Sequence, residues 1–245
     1  MAAALARGWA AGPDGPDAML FYDIDAERAD GLAADVGGET RPTLAELRDG
    51  SDLLLLAVKP AALEAVAGEL DGEAPAVLSV LAVTPVARVA AAFPDVPVLR
   101  MMPNQPVEVR RGVICHPPPH AMPADLAAEA LALLDVLGVR VEVADEEIDA
   151  AMAVMSCTPA YIALFAEALA GAGVREGLDR RLAGGLVADT LAGTAALLRK
   201  REPAAIRAAV ASPGGATDAG LVALGAAGFE RAIGDAVGAS LERFR

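Results

Sequence analysis

Up to about position 145 the chain alternates between short, mainly apolar runs and longer stretches whose apolar residues recur every three or four positions. Beyond that point only the second pattern continues. Six runs predict strands: Ala18–Tyr22, Leu53–Val58, Ala76–Val83, Val98–Met102, Val113–Cys115 and Val139–Val143. Leu53-Leu54-Leu55-Leu56-Ala57-Val58 is apolar at every position, which suits a central parallel strand covered on both faces. The periodic stretches predict helices over Met1–Ala11, where Leu5 and Trp9 share a face, and over Ala26–Asp35, Leu63–Leu70, Pro85–Phe93 and Ala124–Leu137. Thr43-Leu44-Ala45-Glu46 has capping-box spacing and opens a further short helix. Gly37-Gly38 closes the helix before it, and Thr84 before Pro85 predicts an N-cap followed by proline at the first helical position. Strands and helices in this alternation predict parallel βαβ units in a doubly wound sheet.

The second half reads as helix throughout: Glu146–Gly171, Leu178–Arg201, Pro203–Val210, Asp218–Ala227 and Phe229–Phe244. We therefore expect an α/β domain over residues 1–146 and a helical domain over residues 147–245. The helical half is rich in Ala, Leu and Val and has too few polar faces for a solvated appendage, so a second copy is expected to cover it.

Composition narrows the classes of function. The 245 residues are 55% hydrophobic but only 3% aromatic, so the core is built of Ala, Leu and Val. A net charge of −14 without a Lys/Arg cluster argues against nucleic acid and anionic membrane as partners. Cys115 and Cys157 form no C-x-x-C pair and no disulfide framework, which fits a reducing cytoplasm. No apolar run approaches a membrane span, and Met1–Ala11, interrupted by Arg7, reads as helix rather than signal peptide.

In an open α/β sheet, ligands lie beyond the carboxyl ends of the strands. Four loops occupy that edge: Asp23-Ile24-Asp25, Lys59-Pro60, Thr84-Pro85 and Pro103-Asn104-Gln105-Pro106. Asp23 stands where a dinucleotide fold places a carboxylate for the ribose hydroxyl, and it equally suits a helix cap. Lys59 is one of two lysines in the chain, with Lys200. His116 and His120 lack a third ligand nearby, so no metal site is expected. Cys157 has no histidine beside it and reads as a packing residue. Glu146, Glu147 and Asp149 read as a solvated first helical turn. In the helical half, Ser212-Pro213-Gly214-Gly215-Ala216-Thr217 delivers main-chain N–H groups and a hydroxyl to a helix N-terminus, a place that favours an anion. By its local pattern alone it is also an ordinary proline-glycine turn.

Taken together, four stretches resemble pyrroline-5-carboxylate reductases, the last enzymes of proline synthesis. Leu56-Ala57-Val58-Lys59-Pro60 is similar to that family's strand-end cofactor loop. Arg100-Met101-Met102-Pro103-Asn104-Gln105-Pro106 is similar to its R-x-M-P-N-x-P stretch. Thr158-Pro159-Ala160-Tyr161 looks like the end of S-G-S-G-P-A-Y, and Ser212–Thr217 looks like S-P-G-G-[TA]-T. The resemblance implies a Rossmann-like doubly wound sheet followed by an all-α dimerisation domain that interlocks with its partner. It implies NADPH or NADH as cofactor, held by Asp23, Ala57, Val58, Lys59, Pro60 and Asn104. It implies a substrate carboxylate held by the main chain of Ser212, Pro213, Gly214, Gly215 and Ala216, with Thr217 near the imine nitrogen. The reaction implied is hydride transfer to the C=N carbon, giving L-proline.

The sequence departs from the pattern in three places. Ser156-Cys157-Thr158 stands where the family has Gly-Ser-Gly, and Leu44 stands near a family asparagine that touches the cofactor. Met1–Gly8 resembles the segment just after the family's first strand and G-x-G-x-M loop, so the first strand is expected to be missing and the cofactor to be held poorly by this chain alone. Two other readings share the domain plan: a truncated, non-catalytic dimeric remnant, and a reductase for a related imine or hydroxyacid.

Overall fold

A computed structural model describes residues 1–243 of the chain. The chain forms two units, Met1–Pro159 together with Arg243, and Ala160–Glu242.

The first unit holds three short sheets. Strands β1 (Leu20–Phe21) and β2 (Glu39–Thr40) pair in parallel. Strands β3 (Leu54–Leu56), β4 (Val77–Ser79) and β5 (Val98–Arg100) form a parallel sheet in that order. Strands β6 (Met102–Pro103), β7 (Gly112–His116) and β8 (Gly138–Glu142) form the third, with β6 antiparallel to β7 and β7 parallel to β8. The expectation of purely parallel pairing thus fails at β6, because the chain turns back through a 3₁₀ stretch at Gln105–Val109 instead of crossing over through a helix.

The helices of this unit are α1 (Ala2–Ala10), α2 (Ala26–Val36), α3 (Leu44–Asp49), α4 (Leu63–Glu69), α5 (Val86–Ala92), α6 (Ala124–Leu137) and α7 (Ile148–Met155). The pleat of the β3–β5 sheet divides its apolar residues between two cores. Leu54, Leu56, Val77 and Val98 face a cluster with Leu44, Leu63, Leu70, Val89 and Phe93, drawn from α3 to α5 and the segments after them. Leu78 and Leu99 face the other way, onto Leu5 and Trp9 of α1 and Leu134 and Leu137 of α6. Helices on both faces of the central sheet make the doubly wound arrangement. Leu44, where the family pattern has asparagine, is a core residue.

Local chemistry explains the helix ends. The Thr43 hydroxyl accepts from Glu46 N–H at 3.2 Å and opens α3. Gly37 closes α2 at φ 75°, a conformation open to glycine without strain. Thr84 is not the cap of α5: that helix begins at Val86 with Pro85 as its N-cap residue, and Thr84 Oγ1 donates to Ala82 C=O at 2.9 Å. Asp149, whose side chain is 40% exposed, is more than a solvated charge, since it also pairs with Arg100 at 3.2 Å.

The second unit is helical: α8 (Thr158–Arg175), α9 (Arg180–Leu198), α10 (Pro203–Val210), α11 (Ala216–Ala226) and α12 (Phe229–Arg243). Helix α11 starts two residues before the expected Asp218, and Ser156-Cys157 interrupts the first expected helix. The expected end of α12 at Phe244 lies outside the described residues. Only Ala183 and Val187 of α9 are buried in these helices, while Leu164 and Val222 are each 66% exposed. Contrary to the reading that no run approaches a span, Asp145–Arg175 and Arg180–Leu198 are long and apolar enough to cross a membrane by length and composition.

Candidate active site

The carboxyl ends of β1, β3 and β4 carry the loops expected to bind a dinucleotide. After β1, the half-buried Asp23 accepts from Asp25 N–H at 3.0 Å. It is Asp25 that caps α2, accepting from Arg28 N–H at 3.4 Å. The two roles weighed for Asp23 therefore separate: the helix cap is Asp25, and Asp23 keeps one carboxylate oxygen without a partner among the described residues. After β3, Ala57, Val58 and Lys59 are exposed, and Pro60 opens a 3₁₀ turn over Pro60–Ala62. This segment offers solvent-facing main chain and an ammonium group at the end of a buried strand.

Asn104 follows β6 and is 7% exposed. Its Nδ2 donates to Met155 C=O at 3.1 Å and its Oδ1 accepts from Val113 N–H at 2.9 Å. Both ends of the amide thus join β7 and α7 inside the unit.

Sequence reasoning did not single out the side chain of Arg100. It ends β5, is 2% exposed, and donates from Nη1 to Asp145 Oδ1 at 2.8 Å and from Nη2 to Asp149 Oδ1 at 3.2 Å. The available signal was an arginine inside the apolar run Val98–Met102, since an unpaired buried guanidinium is strongly disfavoured. On β7, Cys115 is 4% exposed, and burial pushes its thiol above the usual range, which makes it a poor nucleophile. His116 is fully buried, its Nδ1 2.8 Å from Pro117 C=O. Among the described residues no group of three or more His, Cys, Asp or Glu side chains could hold a metal ion.

In the second unit, the two glycines of Ser212–Thr217 are required for different reasons. Gly214 has φ 71°. At Gly215 a Cβ would come within 2.9 Å of Ser212 Oγ and 3.0 Å of Ser212 C=O. Gly215 N–H donates to Ser212 C=O at 2.9 Å, and Gly214 N–H donates to Asp218 Oδ2 at 2.9 Å. Helix α11 begins at Ala216 without a side-chain cap, and its first bond back to the loop is Ala219 N–H to Gly215 C=O at 3.1 Å. The N–H groups of Ala216, Thr217 and Asp218 have no acceptor among the described residues, as at any open helix N-terminus. The Thr217 side chain is exposed and makes no hydrogen bond among the described residues. The turn and the open donors occur together, and they fit a small carboxylate.

Comparison with known proteins agrees with both units. Residues 145–245 match the family described as pyrroline-5-carboxylate reductase dimerisation, and residues 1–83 match that described as NADP oxidoreductase, coenzyme F420-dependent. A pyrroline-5-carboxylate reductase of Synechocystis is 38% identical over 245 residues, covering 98% of this chain and 92% of the relative. That of Thermus thermophilus is 35% identical over 229 residues, covering 93% and 87%. Among solved structures, 1-pyrroline-5-carboxylate reductase of Streptococcus pyogenes superposes with a TM-score of 0.89 at 28% identity, covering all of this chain and 94% of the other. A Plasmodium falciparum pyrroline carboxylate reductase with NADP bound has the same fold at 24% identity, with a TM-score of 0.86 and coverage of 98% and 92%.

Proposed function

Because the chain belongs to the pyrroline-5-carboxylate reductase family, we propose that it reduces 1-pyrroline-5-carboxylate to L-proline with NADPH or NADH, the last step of proline synthesis. The observation that carries the reading is the Ser212–Thr217 turn, which holds two glycines in a fixed shape before three open main-chain N–H groups. We assign Ser212, Pro213, Gly214, Gly215 and Ala216 to the substrate carboxylate. Pro213 has no N–H, and Gly214 and Gly215 N–H are engaged by Asp218 Oδ2 and Ser212 C=O, so these residues set the shape of the turn while the open N–H groups of Ala216, Thr217 and Asp218 meet the anion. Thr217 is assigned to the imine nitrogen, which gains a proton as the adjacent carbon gains hydride. The cofactor supplies that hydride when bound.

The carboxyl edge of the first unit fits such a cofactor. The free oxygen of Asp23 suits ribose hydroxyls, and the exposed main chain of Ala57, Val58, Lys59 and Pro60 suits close approach of a large polar ligand. Asn104 acts through the walls of this edge, since its amide ties β7 to α7. The chemistry needs orientation more than acid–base groups of unusual strength.

The helical unit associates with a second copy, which covers its exposed apolar side chains. That accounts for helices apolar enough to pass as spans, and our reading is of a cytoplasmic homodimer or a larger assembly of dimers. The test is to mix the purified protein, as its gene encodes it, with pyrroline-5-carboxylate and NADPH or NADH. The expected result is substrate-dependent oxidation of the cofactor with formation of L-proline. Oxidation without proline, or only with another imine or a 2-oxoacid, would refute the assignment.

A further inference from the structure

Arg100 is among the largest fully buried side chains of the described residues, and its neighbours do more than neutralise it. Nη1 donates to both Oδ1 and the main-chain carbonyl of Asp145, at 2.8 and 3.2 Å, and Nη2 donates to Asp149 Oδ1 at 3.2 Å. Nε has no partner among the described residues. The other oxygen of Asp145 leaves this group and accepts from Val86 N–H at 3.0 Å. Asp145 therefore joins a buried cation to the first N–H of α5, a residue 59 positions away in sequence.

Burying an ion pair gives little net stability, because desolvation offsets the Coulomb gain, and an apolar side chain of similar volume fills a core as well. An apolar residue could not fix Asp145, and Asp145 fixes the loop before α5. That loop is conformationally demanding. Val83, β-branched and 38% exposed, sits at φ 54°, a region where such residues are rare. Pro85, the N-cap residue, has no side chain able to cap. The strained turn is held by Thr84 Oγ1 on Ala82 C=O from within and by Asp145 from outside.

The loop lies at the carboxyl end of β4, beside the Ala57–Pro60 segment after β3. With Asp23 on the β1 side taken for the adenosine ribose, the other half of a dinucleotide crosses the carboxyl ends of β3 and β4. We propose that Arg100 and Asp145 are positioning residues that hold the Ala82–Pro85 loop as the seat of the nicotinamide half of the cofactor. This rests on the cofactor assignment made above.

The test compares two variants with the same change of charge. Asp145→Asn keeps the shape but turns one acceptor into a donor, so either Arg100 or Val86 N–H loses its partner. Asp149→Asn weakens the ion pair equally in charge and leaves the tether to Val86 intact. Two quantities are measured on the protein as its gene encodes it: equilibrium affinity for NADPH, from its own fluorescence, and amide hydrogen exchange across Ala82–Val89 without cofactor. Asp145→Asn should weaken NADPH binding at least tenfold and speed exchange at least tenfold, and Asp149→Asn should leave both within twofold. Should Asp145→Asn fail to fold, Val86→Pro deletes the tethered N–H, and Val86→Ala, which keeps that N–H, controls for the lost valine packing. Pro85 already has ψ 155°, so it tolerates a following proline. Val86→Pro should weaken NADPH binding to the same degree. Equal effects of Asp145→Asn and Asp149→Asn on NADPH, or unchanged affinity in Asp145→Asn or Val86→Pro, would overturn the proposal. Failure of the unsubstituted protein to bind NADPH would instead overturn the cofactor assignment beneath it.

Discussion

Thr217→Ala separates chemistry from stability more cleanly than any other substitution at the site. The threonine is the second residue of α11, Gly215 holds the N-cap position, and the hydroxyl makes no hydrogen bond among the described residues. A cap role, which would cost about 1 kcal/mol on removal, therefore has no support in the geometry. Alanine is the better helix former by roughly 0.5 kcal/mol in a helix interior, so the melting temperature should stay level or rise by a degree or two. On the assignment proposed above, the hydroxyl bonds to a nitrogen whose electron density grows as hydride arrives. A bond that strengthens in the transition state lowers the barrier, not just the apparent affinity. Its loss should reduce kcat by roughly ten- to a hundredfold, about 1.4–2.7 kcal/mol. Thr217→Ser should recover most of the rate, because it restores the hydroxyl without the methyl. The assay is steady-state oxidation of NADPH at saturating substrate, with the melting temperature measured on the same preparations. An unchanged kcat in Thr217→Ala would refute the assignment, and a fall in melting temperature beside it would return Thr217 to a structural role.

Asp23→Ser should shift the NADH-to-NADPH ratio of kcat/KM toward NADPH by roughly tenfold, because Asp25 is engaged in capping α2 and Asp23 keeps the carboxylate oxygen that, on the cofactor assignment proposed above, meets the ribose; an unchanged ratio would count against that ribose role. Leu182→Glu together with Leu186→Glu, side chains 52% exposed and one turn apart on α9, should move the protein from dimer to monomer in sedimentation, and an intact dimer would place the contact elsewhere. Cys115 should resist thiol reagents at pH 8 until the protein is denatured, and rapid labelling of the native protein would contradict its burial. Its pKa is raised in the folded state, so its contribution to stability is fully present below the unfolded thiol value of about 8.5 and fades as pH rises through the folded value.

What the sequence made legible was what depends on neighbours along the chain. The apolar periodicity of Ala124–Leu137 reproduces α6 to the residue, and the Thr43–Glu46 spacing marks the start of α3. Misreadings arose where a distant residue took over a local task. Thr84 and Pro85 look like a cap and a first helical residue, yet the first N–H of α5 is satisfied by Asp145. Asp149 sits in an acidic turn that reads as solvated, and only the fold brings it to Arg100. The antiparallel entry of β6 was hidden because a short apolar run carries no strand direction. The Ser212–Thr217 turn was readable as a shape, since proline and glycine restrict it locally, but which donors stay open depends on Asp218 folding back on Gly214.

The scarcity of enclosed side chains in the second unit bears on how the protein reaches its native state. With only Ala183 and Val187 buried along five helices, one chain has almost nothing to condense around there. An interior shared between copies makes its final folding step bimolecular, so refolding should slow on dilution and the melting temperature should climb with protein concentration. Newly synthesised chains then depend on meeting one another before their apolar helices meet anything else, and the abundance of the protein becomes one of the determinants of its own stability.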